Sequence, residues 1–342
     1  MRTAYSFACL SLLLCPALAA ADANVTVALT PAGEALALAT GSSPMQLAAD
    51  IKAKVDRAYQ TRDVPGFLRA FTDATAFSQR GLAVDYVSVP SSFIIGLGGN
   101  VAVASKDVLD ADAPTAGAAA NLGFMLGGNL AGSGLPRWTL FVNGFYNSAS
   151  TDRLSGNLAS AGAHAQVKIL QAAQDKGLVR AFRWTGLDLT SGIEYTRWKL
   201  NANKGLVNDF TVGSGPTATD LRLTSEGKFE LTSNAVTVPV ELSTGFRVLG
   251  LLSIYGGVGI DFTAGSSTVD AALSGQARTT DGSNTDVGTV TITADGDNTA
   301  SPAAMHALAG LQLNLWKLKA FVQGNVAQTP AASVSFGLRL VL

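Results

Sequence analysis

Two hydrophobic periods divide the chain. Between Ser43 and Phe71 apolar residues recur at helical spacing: Leu47, Ile51, Val55 and Tyr59 lie opposite Asp50, Lys54 and Arg57. Ser43 suits an N-cap and Pro44 the first helical position. A second helical piece is expected after Pro65, with Phe67, Leu68 and Phe71 on one face. From about Gly81 to the last residue the period is two. Phe93, Ile95, Leu97, Gly99, Val101 and Val103 alternate with Ile94, Gly96, Gly98, Asn100 and Ala102.

The same division recurs along the chain. Leu122, Phe124, Leu126 and Leu130 alternate with Asn121, Gly123, Met125, Gly127 and Asn129, and Trp138, Leu140, Val142 and Tyr146 with Thr139, Asn143 and Asn147. Further on, Val236, Val238, Val240, Leu242, Phe246 and Val248 precede a Leu249-Gly250 turn, then Leu252, Ile254, Val258, Ile260 and Phe262. Glu241, Arg247 and Asp261 fall on the opposite register. These runs reach the ~9–11 residues of a tilted membrane strand and exceed the ~5–6 of a soluble sandwich.

Composition decides between the remaining architectures. The chain is 47% hydrophobic and 14% charged, with 36 Gly among 342 residues. After the first residues no apolar run approaches the ~20 that a spanning helix needs. A closed barrel is the other way to satisfy every backbone group in lipid. The expected fold is all-β, an antiparallel transmembrane β-barrel of about 12 strands, with 10 to 14 readable, behind a short α-helical N-terminal segment. Ten strands read directly, and Thr268–Ala277 with Val287–Ala294 add two unless they form an extended outer hairpin. Stretches 105–116, 201–233 and 265–301 read as long loops, and Gly132-Ser133-Gly134, Leu249-Gly250 and Trp316-Lys317 as short turns.

Three domains are expected: a signal peptide at 1–19, a linker and amphipathic helical segment at 20–80, and the barrel at 81–342. Within the second, Asn24 to about Ser42 reads as linker. Arg2, the apolar stretch Phe7–Leu14 and Ala17-Leu18-Ala19 make the three parts of a secretory signal, with Ala21 or Ala23 as alternative cleavage points. Leu14 and Pro16 on either side of Cys15 argue against lipid attachment there. Cys9 and Cys15 both lie in this segment, so thiol chemistry is excluded from the processed chain. The net charge of −1 has no like-charge block, which removes nucleic acid as a partner.

Candidate site residues are those expected in the lumen: Lys168, Asp188, Glu194, Glu241, Arg247, Asp261, Lys319 and Arg339, four of each sign. A mixed set predicts internal pairing ahead of an ion-selectivity filter. His164 and His306 also fall on the lumen register. A polar lumen accommodates imidazoles without catalysis, so no catalytic residue, enzyme activity, metal or cofactor is expected. The Gly-rich stretches at 96–100 and 256–259 sit within alternating strands, without the helix a phosphate loop requires. Trp138, Trp184, Trp198, Trp316, Tyr146 and Tyr195 fit interfacial girdles.

At the C-terminus Val334, Phe336, Leu338, Leu340 and Leu342 alternate with Ser335, Gly337, Arg339 and Val341. This resembles the terminal strand of Gram-negative outer-membrane β-barrel proteins, although Leu342 stands where that family typically ends in an aromatic residue. The resemblance implies residence in the cell outer membrane, contact with its lipid, and recognition by the barrel-assembly machinery. The functional expectation is a passive channel for small or hydrophobic solutes, gated by the N-terminal segment. The alternatives are a non-conducting structural component that docks a periplasmic partner through residues 43–75, and a barrel-borne hydrolase.

Overall fold

The computed structural model describes residues 24–59, 64–88, 93–105, 116–171, 182–213 and 218–342. The expected signal peptide with Cys9 and Cys15, and most of the expected 105–116 loop, lie outside them. The N-terminal elements are β1 (Asn24–Leu29), α1 (Pro31–Ala39), α2 (Pro44–Tyr59) and α3 (Val64–Phe77). The strands that follow are β2 (Phe93–Ser105), β3 (Ala116–Leu130), β4 (Leu135–Ser150), β5 (Leu154–Leu170), β6 (Phe182–Val212), β7 (Thr219–Val248), β8 (Leu252–Thr279), β9 (Asp286–Thr299), β10 (Ala303–Leu315), β11 (Leu318–Ala327) and β12 (Ala331–Val341).

The twelve strands of the described residues share one antiparallel sheet, and the barrel within it is the expected architecture with fewer strands than the expected 12, though inside the readable range of 10 to 14. Ten of them close a ring, running β2 to β8 in sequence, then β10, β11 and β12, which pairs back onto β2. Thr268–Ala277 and Val287–Ala294 belong to a hairpin beyond the ring, where β8 pairs β9. No described helix is long and apolar enough to cross a membrane.

The ring has two unlike ends. At one, which we call the terminal end, β2 starts beside the C-terminus, where the Phe93 N–H donates to the Leu342 carbonyl (3.3 Å) and the Leu342 N–H to that of Phe93 (2.8 Å). The 3₁₀ turn Ala131–Ser133, the Leu249-Gly250 turn and the Trp316-Lys317 turn lie at this end. At the far end β6, β7 and β8 continue for a total of 31, 30 and 28 residues. At ~3.3 Å per residue each is roughly 100 Å long, far beyond a ~30 Å hydrocarbon core.

This extension corrects the reading of 201–233 and 265–301 as loops. β6 pairs β7 out to Val212↔Thr219, β7 pairs β8 out to Leu221↔Thr279, and β9 and β1 complete a five-stranded projection. Along β7 the inward register stays on odd residues throughout, but its chemistry inverts. In the ring the inward residues include Ser243 and Glu241 and the outward ones Val236, Val238, Leu242 and Phe246; in the extension Leu221, Leu223, Phe229 and Leu231 turn inward and Arg222, Thr224, Glu226 and Lys228 outward. Polar outward residues make a stretch look like a loop, although the alternation never breaks.

The expected linker at 24–42 is also structured. Val25, Val27 and Leu29 put β1 on the edge of the extension, in register with Ile292, Val290 and Gly288 of β9. Thr30 caps α1 by accepting the Gly33 N–H (3.1 Å), and its hydroxyl donates to the Asp286 carbonyl (2.6 Å), with Pro31 in the first turn. On α2 the expected stripe of Leu47, Ile51 and Val55 is buried against Val212, Leu221, Leu223, Leu273 and Ile292. These two helices roof the inward face of the extension.

Candidate functional site in the barrel lumen

Residues 64–88 run through the ring from the far end to the terminal end. Leu68 and Phe71 of α3 pack on Trp198, Leu200, Phe229, Leu231 and Val269, while Ala70, Ala74 and Phe77 meet Ala102, Ala104, Ala119 and Ala331. Trp198 therefore belongs to the lumen and not to an interfacial girdle; its register is inward. The approach is close enough that a Cβ at Gly117 would sit 2.2 Å from the Phe71 backbone nitrogen. That glycine is a steric requirement of the occupied lumen.

Polar contacts mark the descent. Near the far end the Asn298 amide donates to the Pro65 carbonyl (2.6 Å), the Thr72 and Ser267 hydroxyls pair (2.7 Å), and Asp73 accepts from the N–H (2.7 Å) and hydroxyl (2.9 Å) of Ser301. Past α3 the chain turns at Gly81, whose φ is +76° and whose Cβ would fall 2.5 Å from the Ser335 hydroxyl. Near the terminal end Asp85 accepts from the N–H groups of Val87 (3.1 Å) and Ser88 (2.9 Å), forming a turn. The first ring strand accordingly starts at Phe93 and not near Gly81, because Gly81–Ser88 continues the lumen segment.

At the centre Arg80 faces three carboxylates. Its guanidinium lies 2.7 Å from Asp261, 3.3 Å from Glu241 and 3.4 Å from Glu194. His306 stands between two of them, with Nε2 3.1 Å from Glu241 and Nδ1 3.1 Å from Asp261, and His164 Nε2 is 3.0 Å from Glu194. The Tyr86 hydroxyl donates to the second oxygen of Glu241 (2.8 Å), and its ring stacks on Tyr255 at 5.7 Å. The Arg80 carbonyl accepts from Asn100 and Ser335, both at 2.6 Å. All of these side chains are buried.

The other sequence-predicted residues gather nearby. Arg339 donates to the carbonyls of Val84 (2.7 Å) and Gly81 (3.2 Å), lies 3.6 Å from Asp85, and stacks 3.8 Å over Phe321. Arg247 donates to the Val87 carbonyl (3.1 Å), and Lys168 pairs with Asp188 at 2.9 Å. Lys319, half-buried at the terminal end, donates to the Trp316 carbonyl. All eight charged candidates thus lie on inward registers. Val334, Phe336, Leu338 and Leu340 point outward on the strand that closes the ring.

Sequence reasoning missed Arg80, Asp85, Tyr86 and Gln79. Gln79 donates to the Tyr195 carbonyl (2.8 Å) and accepts from Asn143 (2.9 Å). The available signal was Gln79-Arg80 placed just after an apolar helix, together with an excess of acidic residues at the centre of the strands. A segment carrying one guanidinium is what the facing Glu194, Glu241 and Asp261 require.

A family profile matches residues 20–342, the helical segment and barrel together. The chain belongs to the Lsa36-like family. No curated relative matches the sequence. Among solved structures, this Lsa36-like chain is similar to the outer membrane protease OmpT from Escherichia coli, at 9% identity over 74% of this chain and 97% of that one, with a TM-score of 0.39. It is also similar to the translocator domain of the autotransporter NalP from Neisseria meningitidis, at 12% identity over 78% and 93% of the respective chains, with a TM-score of 0.32. A third likeness is to the CymD monoaromatic hydrocarbon channel, at 9% identity over 80% and 97%, with a TM-score of 0.24. Those scores carry no functional argument. The strand pairing itself gives this Lsa36-like chain the fold of a closed antiparallel β-barrel.

Proposed function

We propose that this chain is a closed, non-conducting barrel of the cell outer membrane that anchors its own β-extension, with β1, α1 and α2, as the surface meeting its surroundings. Membrane residence is supported by the outward belt around the ring: Leu97, Phe124, Val142, Ile193, Val258, Leu311, Val322 and Phe336 are all exposed. Such a belt is the lipid-facing side of a barrel whose interior is polar.

The observation that carries the closed reading is the burial of Arg80 among Glu194, Glu241 and Asp261. A channel gated by the N-terminal segment has to withdraw residues 64–88. Withdrawal leaves three carboxylates with only His164 and His306 beside them, and takes from Arg339, Arg247 and Asn100 the carbonyls they donate to on that segment. Breaking one buried pair costs about 3–5 kcal/mol, so spontaneous opening is rare. The transport expectation therefore gives way to anchoring.

A hydrolase is not part of the reading. Both His306 nitrogens face carboxylates, and His164 is buried beneath the lumen segment, so neither presents a base to an incoming substrate. The periplasmic docking of residues 43–75 is likewise set aside, since α2 and α3 are engaged with the chain's own extension and lumen.

The test is conductance in planar bilayers of the refolded protein beside a variant lacking residues 24–88. The closed reading predicts a silent full-length barrel and steady conductance after deletion. Steady conductance by the full-length protein overturns it.

A further inference from the structure

We infer that residues 24–59 stand on the outer surface of the cell, having crossed the membrane through the lumen of the barrel that follows them in the same chain. The inference rests on the membrane reading above and adds a direction to it.

Three placements carry the argument. The first is the path of residues 64–88, whose partners change in order from Asn298, Ser267 and Ser301, through Asn100 and Ser335, to Arg247 and Gln312. Gln312 lies three residues before the end of β10, and Arg247 two before the Leu249-Gly250 turn, so the segment emerges at the terminal end. The second is that Phe93 opens β2 at that same end, beside Leu342. The third is that β1, α1 and α2 are fixed at the far end by the β1–β9 ladder and by the cluster of Leu47, Ile51 and Val55 with Leu221 and Leu223.

Barrels of this kind hold short turns at the periplasmic rim and project their longer connections outward. Here the short turns at 131–133, 249–250 and 316–317 share the terminal end, and among the described residues the far end, which also holds the short connections 151–153 and 328–330, alone carries the strand extensions. Residues upstream of the lumen segment are then outside, while the strand downstream begins inside. Among the described residues the backbone of 64–88 joins them, and it lies within the ring. The N-terminal segment is thus carried to the surface either as the ring closes around it or through the finished lumen. The polar inward registers at Asn100, Asn121, Asn143, Thr190 and Thr237 suit such passage, since each offers a hydrogen bond to an extended chain.

The test is labelling of single introduced thiols with a membrane-impermeant maleimide on intact cells producing the full chain, with correct folding checked by heat-modifiable gel mobility. Three positions suffice: Met45→Cys on α2, where the native side chain is 84% exposed, Lys228→Cys on the extension, and Leu251→Cys beside the short turn. The expected result is labelling of Met45→Cys and Lys228→Cys on intact cells to within about twofold of each other, and of Leu251→Cys only after permeabilisation. Labelling of Lys228→Cys but not Met45→Cys on intact cells overturns this inference and leaves the membrane reading standing. Labelling of Leu251→Cys alone on intact cells reverses the orientation and overturns the inference. Concealment of all three until lysis overturns the membrane reading along with it.

Discussion

The two halves of the β7–β8 hairpin have the same geometry and opposite chemistry. Below Ala235 and Gly265, Val236, Val238, Val258 and Phe262 face outward and Glu241, Ser243 and Asp261 inward. Beyond them, Thr224, Glu226, Lys228 and Gln276 face outward and Leu221, Phe229, Leu273 and Ala277 inward. The ladder between the strands continues through the change without a bulge. Backbone pairing is therefore indifferent to the boundary, and side chains alone record which solvent each half meets. In the ring lipid lies outside and a charged, hydrogen-bonded segment inside. In the extension water lies outside, and α1 and α2, with the start of α3 nearest the ring, supply an apolar core.

The comparison is broken most severely at Arg80. Arg80→Ala leaves three buried carboxylates with only the His164 and His306 imidazoles beside them, and a loss of about 3–5 kcal/mol is expected, read as a lower denaturant midpoint of the refolded barrel. The same substitution should raise open-channel events in bilayers. Leu223→Ala attacks the inward face of the extension under α2 and is expected to cost about 2–5 kcal/mol locally, since the ring below it keeps its own contacts. Limited proteolysis checks this: new cuts should appear in β6–β9 beyond the ring while the ring fragment persists.

A lysine at an outward position then separates the halves directly. Val238→Lys on the ring is expected to cost about 2–4 kcal/mol if it sits near the bilayer midplane. Thr224→Lys on the extension should stay within about 0.5 kcal/mol of the native protein. Equal penalties in a lipid-based unfolding titration would remove the distinction. The smallest effect belongs to the exposed Asp209–Arg222 pair on the extension, at 2.7 Å. Hydrogen bonds from Arg222 hold the Asp209 carboxyl below its ordinary value. Its contribution is therefore present above the usual Asp range and lost as pH falls through the lowered value. Salt should screen it, and the midpoint of the ring should not follow it.

Much of the ring was legible because alternation between Val or Leu and Asn, Gly or Glu is a direct imprint of two solvents on one strand. The α2 stripe was legible for the same reason at helical period. The extension was legible only in part: Thr268–Ala277 with Val287–Ala294 could be read as an outer hairpin, but 201–233 read as a loop because Arg222, Thr224, Glu226 and Lys228 occupy the face that water touches, and polarity outward imitates a loop. β1 and α1 escaped because Asn24–Ala39 is small-residue chain whose structure depends on β9 for its edge and on Asp286 for its cap. For the site, the strand carboxylates and both histidines could be placed by register. Their counter-charge could not, since Arg80 lies in irregular backbone that no period describes.

The most direct test of the account is accessibility of nitroxide labels placed one at a time on outward residues of β7 from Arg222 to Phe246, in the refolded protein in lipid bilayers. Collision with oxygen reports lipid and collision with a water-soluble nickel complex reports solvent. The account predicts oxygen-dominated labels at Val236, Val238, Leu242 and Phe246, and nickel-dominated labels at Arg222, Thr224, Glu226 and Lys228, with the crossover near Asn234. A single regime along the whole strand, or a crossover within Val236–Phe246, would contradict it.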